Sequence, residues 1–323
     1  WFDAHPLRDF SRRIARRLGH PSSYNYGVDE WYDPATDQHL DEFFRTRSVD
    51  AVIVEYVFLS RALLRVPAGI RKFIDTHDVF TDRYRRYLDQ GLTPNWFSCS
   101  ARSEARALSR ADTVIAIQAT EAVYFRKLVR REVVVVGHSV RLEPLPTEAI
   151  LPGRILFIGS GNSVNLAAYA WLKNEVMPEV RRQCPNASLV ICGSISRHIT
   201  PDPDAQILGE IDDLAAAYAT ADVVVNPVQT GTGLKIKSVE CLGFGRALVT
   251  TPCGAEGIES GAGSAFRQAA TSGQFASELT SLLLDAAAAR KLDRAAARFA
   301  EQFNANIAAE LLRLLPGSNG NTR

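Results

Sequence analysis

The side chains best placed to do chemistry lie in the run Gly231-Thr232-Gly233-Leu234-Lys235-Ile236-Lys237-Ser238-Val239-Glu240. Glycines at a strand-to-helix turn let backbone N–H groups approach an anion at the positive end of the helix dipole, and a phosphate is the natural guest. Only six of the 37 basic residues are lysines, yet Lys235 and Lys237 both fall within four residues of these glycines. Lys237 and Glu240 are three apart and so share a helix face. They offer one cation for a phosphate and one carboxylate able to accept from paired hydroxyls, such as a ribose diol. An ordinary capped helix with an i,i+3 ion pair would read the same way, and the lysine clustering weighs against it.

Other positions are candidates on weaker signals. The stretch Phe73-Ile74-Asp75-Thr76-His77-Asp78 puts His77 at the carboxyl end of an expected parallel strand, where open α/β sheets bind ligands. An imidazole there can accept from or orient a hydroxyl near neutral pH, while Asp78 either fixes its tautomer or caps the next helix. The loop 159–165, with Gly161 and Asn162, follows a strand and precedes a helix, but lacks the third glycine of a dinucleotide motif. The next strand ends in Cys192-Gly193, without the acidic residue that holds an NAD ribose, so a phosphate- or sugar-facing loop is the better reading. His138, after a strand at a crossover, reads first as structural. Pro201-Asp202-Pro203-Asp204 contains an acidic pair flanked by prolines and reads as a surface turn, with no metal expected.

These residues need elements to position them, and the chain supplies a βαβ alternation. Short apolar runs at 51–55, 72–75, 113–117 and 133–136 are separated by helical segments, predicting a parallel sheet. Residues 140–152 hold three prolines and suit a linker. Beyond it, strands are expected at 154–158, 188–192, 222–226 and 247–250, with helices at 166–183, 212–220 (capped near Asp212), 234–243 and 286–315. At 323 residues the chain suits two domains, placed at 1–148 and 149–323. The fold class is α/β, two doubly wound parallel-sheet domains facing a cleft, the first incomplete because Trp1 is no start and its alternation begins only near Asp50.

Composition narrows the function. A formal charge of +1 gives no basic excess for tracking nucleic acid, so none is expected as a partner. No window approaches the ~18 apolar residues of a membrane span. The five cysteines are scattered and have no zinc spacing, which predicts reduced thiols and a cytoplasmic protein. Arg8, Arg12, Arg13, Arg16 and Arg17 suit the solvated face of a helix, with peripheral contact to anionic lipid at the inner face of a membrane as the second reading.

The segment Val239-Glu240-Cys241-Leu242-Gly243-Phe244-Gly245-Arg246-Ala247-Leu248-Val249-Thr250-Thr251, followed by Gly254-Ala255-Glu256-Gly257-Ile258, resembles the hallmark block of family 4 retaining GT-B glycosyltransferases. The similarity spans roughly residues 50–315. It implies two Rossmann-like domains and metal-independent transfer of a sugar, of the hexosyltransferase type, from a nucleotide-sugar donor to a glycan, lipid-linked or small-molecule acceptor, as in polysaccharide biosynthesis. It implies no cofactor. Glu240 matches the family's ribose-binding glutamate; the sugar-contacting glutamate eight positions earlier falls on Thr232, and the family's basic pair is missing from the 159–165 loop. Lys235 and Lys237 are read as replacing those cations. Gly231, Thr232, Gly233 and Leu234 would face the diphosphate, His77 the donor sugar and acceptor, and Gly209 and Ile211 the nucleobase. The rival readings are an epimerase of the same architecture, which would change its donor without acceptor, and a non-catalytic sugar-nucleotide or carbohydrate-binding module.

Overall fold

The structure, a computed structural model, describes residues 6–17, 20–94, 96–201, 203 and 205–314. Asp202 and Asp204, expected in a surface turn, lie outside these residues, as do the side chains of Arg8 and Arg13. The chain divides into two compact units. One takes the residues up to Gly137 with Thr232–Leu234 and those from Ala309; the other takes His138–Gly231 and Lys235–Ala308. The change of unit at 137/138 precedes the expected 148/149 boundary.

The first unit contains α1 (Pro6–Arg17), α2 (Ala35–Thr46), β1 (Ala51–Glu55), β2 (Arg71–Asp75), α3 (Tyr84–Leu88), α4 (Ala101–Leu108), β3 (Thr113–Ala116), α5 (Ala119–Leu128) and β4 (Glu132–Val135). Its four strands pair in parallel in the order β1-β2-β3-β4. Every residue of β3 is buried, which is why it reads as an unbroken apolar run. Phe58, Phe80 and Phe97 pack with Ile74 and Val114 as the core. The arginines of α1 do not form a solvated face throughout. The Arg12 guanidinium pairs with Glu30 and lies 4.3 Å over the Tyr26 ring, and that of Arg16 lies 4.7 Å over Tyr24, because a guanidinium gains from a nearby carboxylate and from ring faces.

The second unit contains β5 (Arg154–Ile158), α6 (Ser163–Trp171), α7 (Met177–Gln183), β6 (Ser188–Cys192), β7 (Ala205–Gly209), α8 (Leu214–Thr220), β8 (Val223–Asn226), α9 (Ile236–Gly243), β9 (Leu248–Thr250), β10 (Arg267–Gln268), α10 (Ser272–Leu284) and most of α11 (Ala286–Leu314). Its six parallel strands run β10-β9-β8-β5-β6-β7, so the winding reverses between β5 and β8. That reversal is where a doubly wound sheet opens a crevice outside its strand ends. Helices α6 and α7 are joined by a π turn at Leu172–Val176, where one helix was expected. Pro178 lacks an N–H for the regular ladder, and the widened turn absorbs that loss.

Three elements of this unit have weak sequence signals. Strand β7 sits at the sheet edge with a register shift opposite Ile191/Cys192, and β10 has two residues. Helix α10 is capped by Thr271, whose hydroxyl accepts from Gln274 N–H. Helix α8 is capped by Asp213, one residue after the expected Asp212, and α9 starts at Ile236, two residues after the expected Leu234. The linker is pinned along its length: Asn304 exchanges two hydrogen bonds with the Val140 backbone, and the N–H groups of Glu143 and Leu145 donate to the carbonyls of Gly243 and Phe244. Arg246 is fully buried and donates to the carbonyl oxygens of Tyr218, Leu145 and Pro146 at 2.7–3.1 Å. No helix among the described residues is long and apolar enough to cross a membrane.

Candidate functional site

In the second unit, helix α9 rises from the end of β8, on one side of the reversal. Its base is locked by a buried polar network. The Asn226 amide donates to Ser238 Oγ (2.8 Å), Ser238 Oγ donates to Gly254 O (2.6 Å), and Thr250 Oγ1 donates to Asn226 O (2.8 Å). Gly254 cannot be larger, since a Cβ there would lie 2.0 Å from Thr250 Oγ1. Such a satisfied network fixes the helix position more sharply than apolar packing alone.

On this support the structure brings Lys237 and Glu240 together, with Lys237 Nζ 2.9 Å from Glu240 Oε2. The hydroxyl of buried Tyr218 donates to the same oxygen at 3.1 Å. Lys235 lies at the N-cap of α9 and pairs with Glu256 at 3.0 Å. Its side chain is 13% exposed against 41% for Lys237, so Lys237 presents the more accessible cation. Gly231 has φ +130, a backbone conformation that residues other than glycine rarely adopt.

Glu240 also lines a pocket of about 280 Å³, with Ile236 of α9 and its C-cap Phe244, residues 212–215 leading into α8, and His138 to Arg141 of the linker. His138, read from sequence as structural, is exposed on that wall. Ile211 is half-buried just ahead of the Asp212 wall, and Gly209 ends β7 with φ +79. Two loop candidates have local duties. Gly161 N–H donates to Ser194 Oγ (3.1 Å), and a Cβ on Gly161 would collide with the His198 ring at 2.2 Å. Asn162 caps α6, its Oδ1 accepting from Asn165 N–H.

In the first unit the candidates gather at the carboxyl ends of β1 and β2. Tyr56 and His77 directly follow or nearly follow these strands, and both take left-handed backbone, φ +63 and φ +56. Their rings stack with centroids 4.4 Å apart. The carboxylates nearest His77 Nε2 are Glu55 (3.8 Å) and Asp75 (3.9 Å); Asp78 instead lies 3.5 Å from the Arg83 guanidinium. Burial pushes the Asp75 carboxyl above the usual carboxylate range, opposed by the neighbouring His77. The loop after Asp78 is anchored by buried Glu104, which accepts from the N–H groups of Phe80 and Thr81. Burial raises the Glu104 carboxyl to about 7.

The tripeptide Thr232–Leu234 groups with this first unit. Gly233 has φ +72 and its N–H donates to Glu121 Oε1 at 3.1 Å, so that amide already holds a carboxylate. Thr232 Oγ1 accepts from Arg83 Nε at 2.9 Å, and Leu234 is buried. Tyr218 and Glu121 lie 22 and 112 residues from their partners, a separation that no local sequence pattern reveals.

Residues 152–285 match the family model described as Glycosyl transferases group 1, a stretch running from β5 through α10. No curated protein sequence matches the chain. Among solved structures, the chain is similar to sucrose-phosphate synthase from Thermosynechococcus elongatus (16% identity, 87% of this chain and 76% of that one, TM-score 0.70). It is similar to Anabaena HepE in complex with UDP and glucose (15%, 87% and 80%, TM-score 0.59). It is also similar to an S. aureus TarM mutant in complex with Fondaparinux, alpha-GlcNAc-glycerol and UDP (11%, TM-score 0.64). The match takes in 87% of this chain but only 58% of TarM. The two parallel sheets fit the GT-B fold, and the matched stretch is similar to a group 1 glycosyl transferase domain.

Proposed function

We propose that the protein is a glycosyltransferase that moves a sugar from a nucleotide-sugar donor to an acceptor hydroxyl on a glycan, lipid-linked or small-molecule substrate. The observation that carries this reading is the Lys237–Glu240 pair on α9, with Glu240 on the wall of a pocket in the domain matched to the family. An ammonium has three N–H donors, so Lys237 and Lys235 can each meet a diphosphate oxygen while keeping a carboxylate partner. Charge developing on the leaving diphosphate is then stabilised by cations fixed beforehand. Glu240 accepts from the ribose hydroxyls. In this reading the lysines supply the positive charge, and transfer proceeds without a metal. No described side chain is placed as a nucleophile; with retention, which the family resemblance implies, the acceptor attacks on the face the diphosphate leaves. UDP-sugars are the first donors to test, since the HepE and TarM structures hold UDP.

The test is a thermal-shift panel of UDP-, GDP- and ADP-sugars, then a transfer assay with and without EDTA. A donor at 100 times its Kd adds about 2.7 kcal/mol of stability, so the true donor should raise Tm clearly. A flat panel contradicts the reading, and loss of turnover in EDTA contradicts metal independence. A second reading, donor binding without turnover, draws on Thr232, whose hydroxyl is engaged by Arg83 where the family has a carboxylate. Donor binding with no product across acceptors would favour it.

A further inference from the structure

Glu240 has two carboxylate oxygens, and both of its donors, Lys237 Nζ at 2.9 Å and Tyr218 OH at 3.1 Å, converge on Oε2. Among the described residues none donates to Oε1. Two donors on one oxygen fix the plane of the carboxylate, whereas Lys237 alone, on a flexible stem, would let it rotate. Tyr218 is suited to this task because it cannot move. It is fully buried, its ring stacks on Phe244 at 4.6 Å, and its own carbonyl accepts from the buried Arg246 guanidinium at 2.9 Å.

We propose that Tyr218 is a positioning residue for Glu240: its hydroxyl holds Oε2 so that Oε1 meets the ribose hydroxyls of a nucleoside diphosphate in the pocket, making recognition depend on ribose. This rests on the donor-site reading above. Burial first, then the nearby Cys241 and Glu240, pushes the Tyr218 hydroxyl well above its ordinary value, so it remains a donor. Oε1 has two lone pairs and can accept from the 2′- and 3′-hydroxyls together. A ligand lacking the 2′-hydroxyl gives up one of these bonds.

The experiment is calorimetric titration of the full chain with UDP and with 2′-deoxy-UDP, on wild type and Tyr218→Phe. Wild type should bind UDP about 5- to 10-fold more tightly than 2′-deoxy-UDP. Tyr218→Phe should weaken UDP, which has two ribose bonds to lose, by more than it weakens 2′-deoxy-UDP, which has one, and bring the ratio close to one. Equal weakening of both ligands would mark Tyr218 as merely structural, and an unchanged ratio would also overturn the proposal. Wild type binding neither ligand would overturn this proposal, and the donor-site reading would fall with it only if the UDP-, GDP- and ADP-sugar panel were also flat. Should the variant fail to fold, a wild-type structure with UDP decides: Oε1 on ribose with Oε2 on Tyr218 supports the assignment, and Oε2 on ribose overturns it.

Discussion

The two units hold their candidate residues by different means. In the second, the sheet reverses its winding between β5 and β8, and α9 stands on the hydrogen-bonded Asn226–Ser238–Gly254 network. Its charged groups are mutually satisfied before any ligand arrives, Lys237 and Tyr218 on Glu240, Lys235 on Glu256. In the first unit, the four strands run in sequential order, and His77 is set by a left-handed backbone and ring stacking. Its buried Nε2 makes no hydrogen bond among the described residues. A network of partners suits a site that must grip a fixed charged ligand, whereas local strain and an unbonded imidazole suit a group that waits for a substrate atom.

The largest effect should come from the gripping site. Glu240→Gln keeps the shape but replaces one acceptor oxygen with an amide, and should weaken UDP by about 1.5–3 kcal/mol with the far-UV spectrum unchanged. Affinity within error of wild type would remove Glu240 from the site. Next in size is a pH effect in the first unit. Glu104 has a folded value near 7, above the ~4.3 of an unfolded glutamate, so the folded state binds its proton more tightly. That stabilisation is present below about pH 4.3 and is lost as pH rises through about 7, with roughly 2–3 kcal/mol of it lost between about pH 5 and pH 8. Urea unfolding at about pH 5 and pH 8 should show a larger fall for wild type than for Glu104→Gln. Parallel falls would mean Glu104 does not titrate in that window.

Smaller effects separate strain from bonding. At φ +56, His77→Gly should be more stable than His77→Ala by about 1 kcal/mol, because only glycine adopts that backbone without cost. Equal stability would argue against strain there. Thr232→Ala should cost under about 1 kcal/mol in UDP binding, since its hydroxyl serves Arg83. A loss exceeding that of Glu240→Gln would reverse the assignment of roles along this segment.

What the sequence made legible follows from how local each signal is. Strands β5 and β6 match their expected bounds because buried parallel strands are continuous apolar runs closed by turn residues. Strand β7 and the two-residue β10 escaped, being edge elements too short or too mixed to show a period. Helix α10 shows in the sequence mainly through the cap pair Thr271 and Gln274 ahead of Phe275 and Leu279, a weak signal on its own. In the site, Lys237 and Glu240 were found because i,i+3 geometry is local. Tyr218, Glu256 and Glu121 were not, because only the fold brings them to their partners. His138 shows the same limit, since nothing near it in sequence reveals the pocket wall it joins.

If α9 grips a nucleoside diphosphate through Lys237, calorimetric titration of UDP into wild type, Lys237→Ala and Lys235→Ala will show it. A charge-assisted contact to phosphate is worth about 1.5–3 kcal/mol, so Lys237→Ala should bind UDP about 10- to 150-fold more weakly. Lys235→Ala, removing the more buried cation paired with Glu256, should bind less weakly than that. Equal UDP affinity in wild type and a folded Lys237→Ala variant would contradict the account.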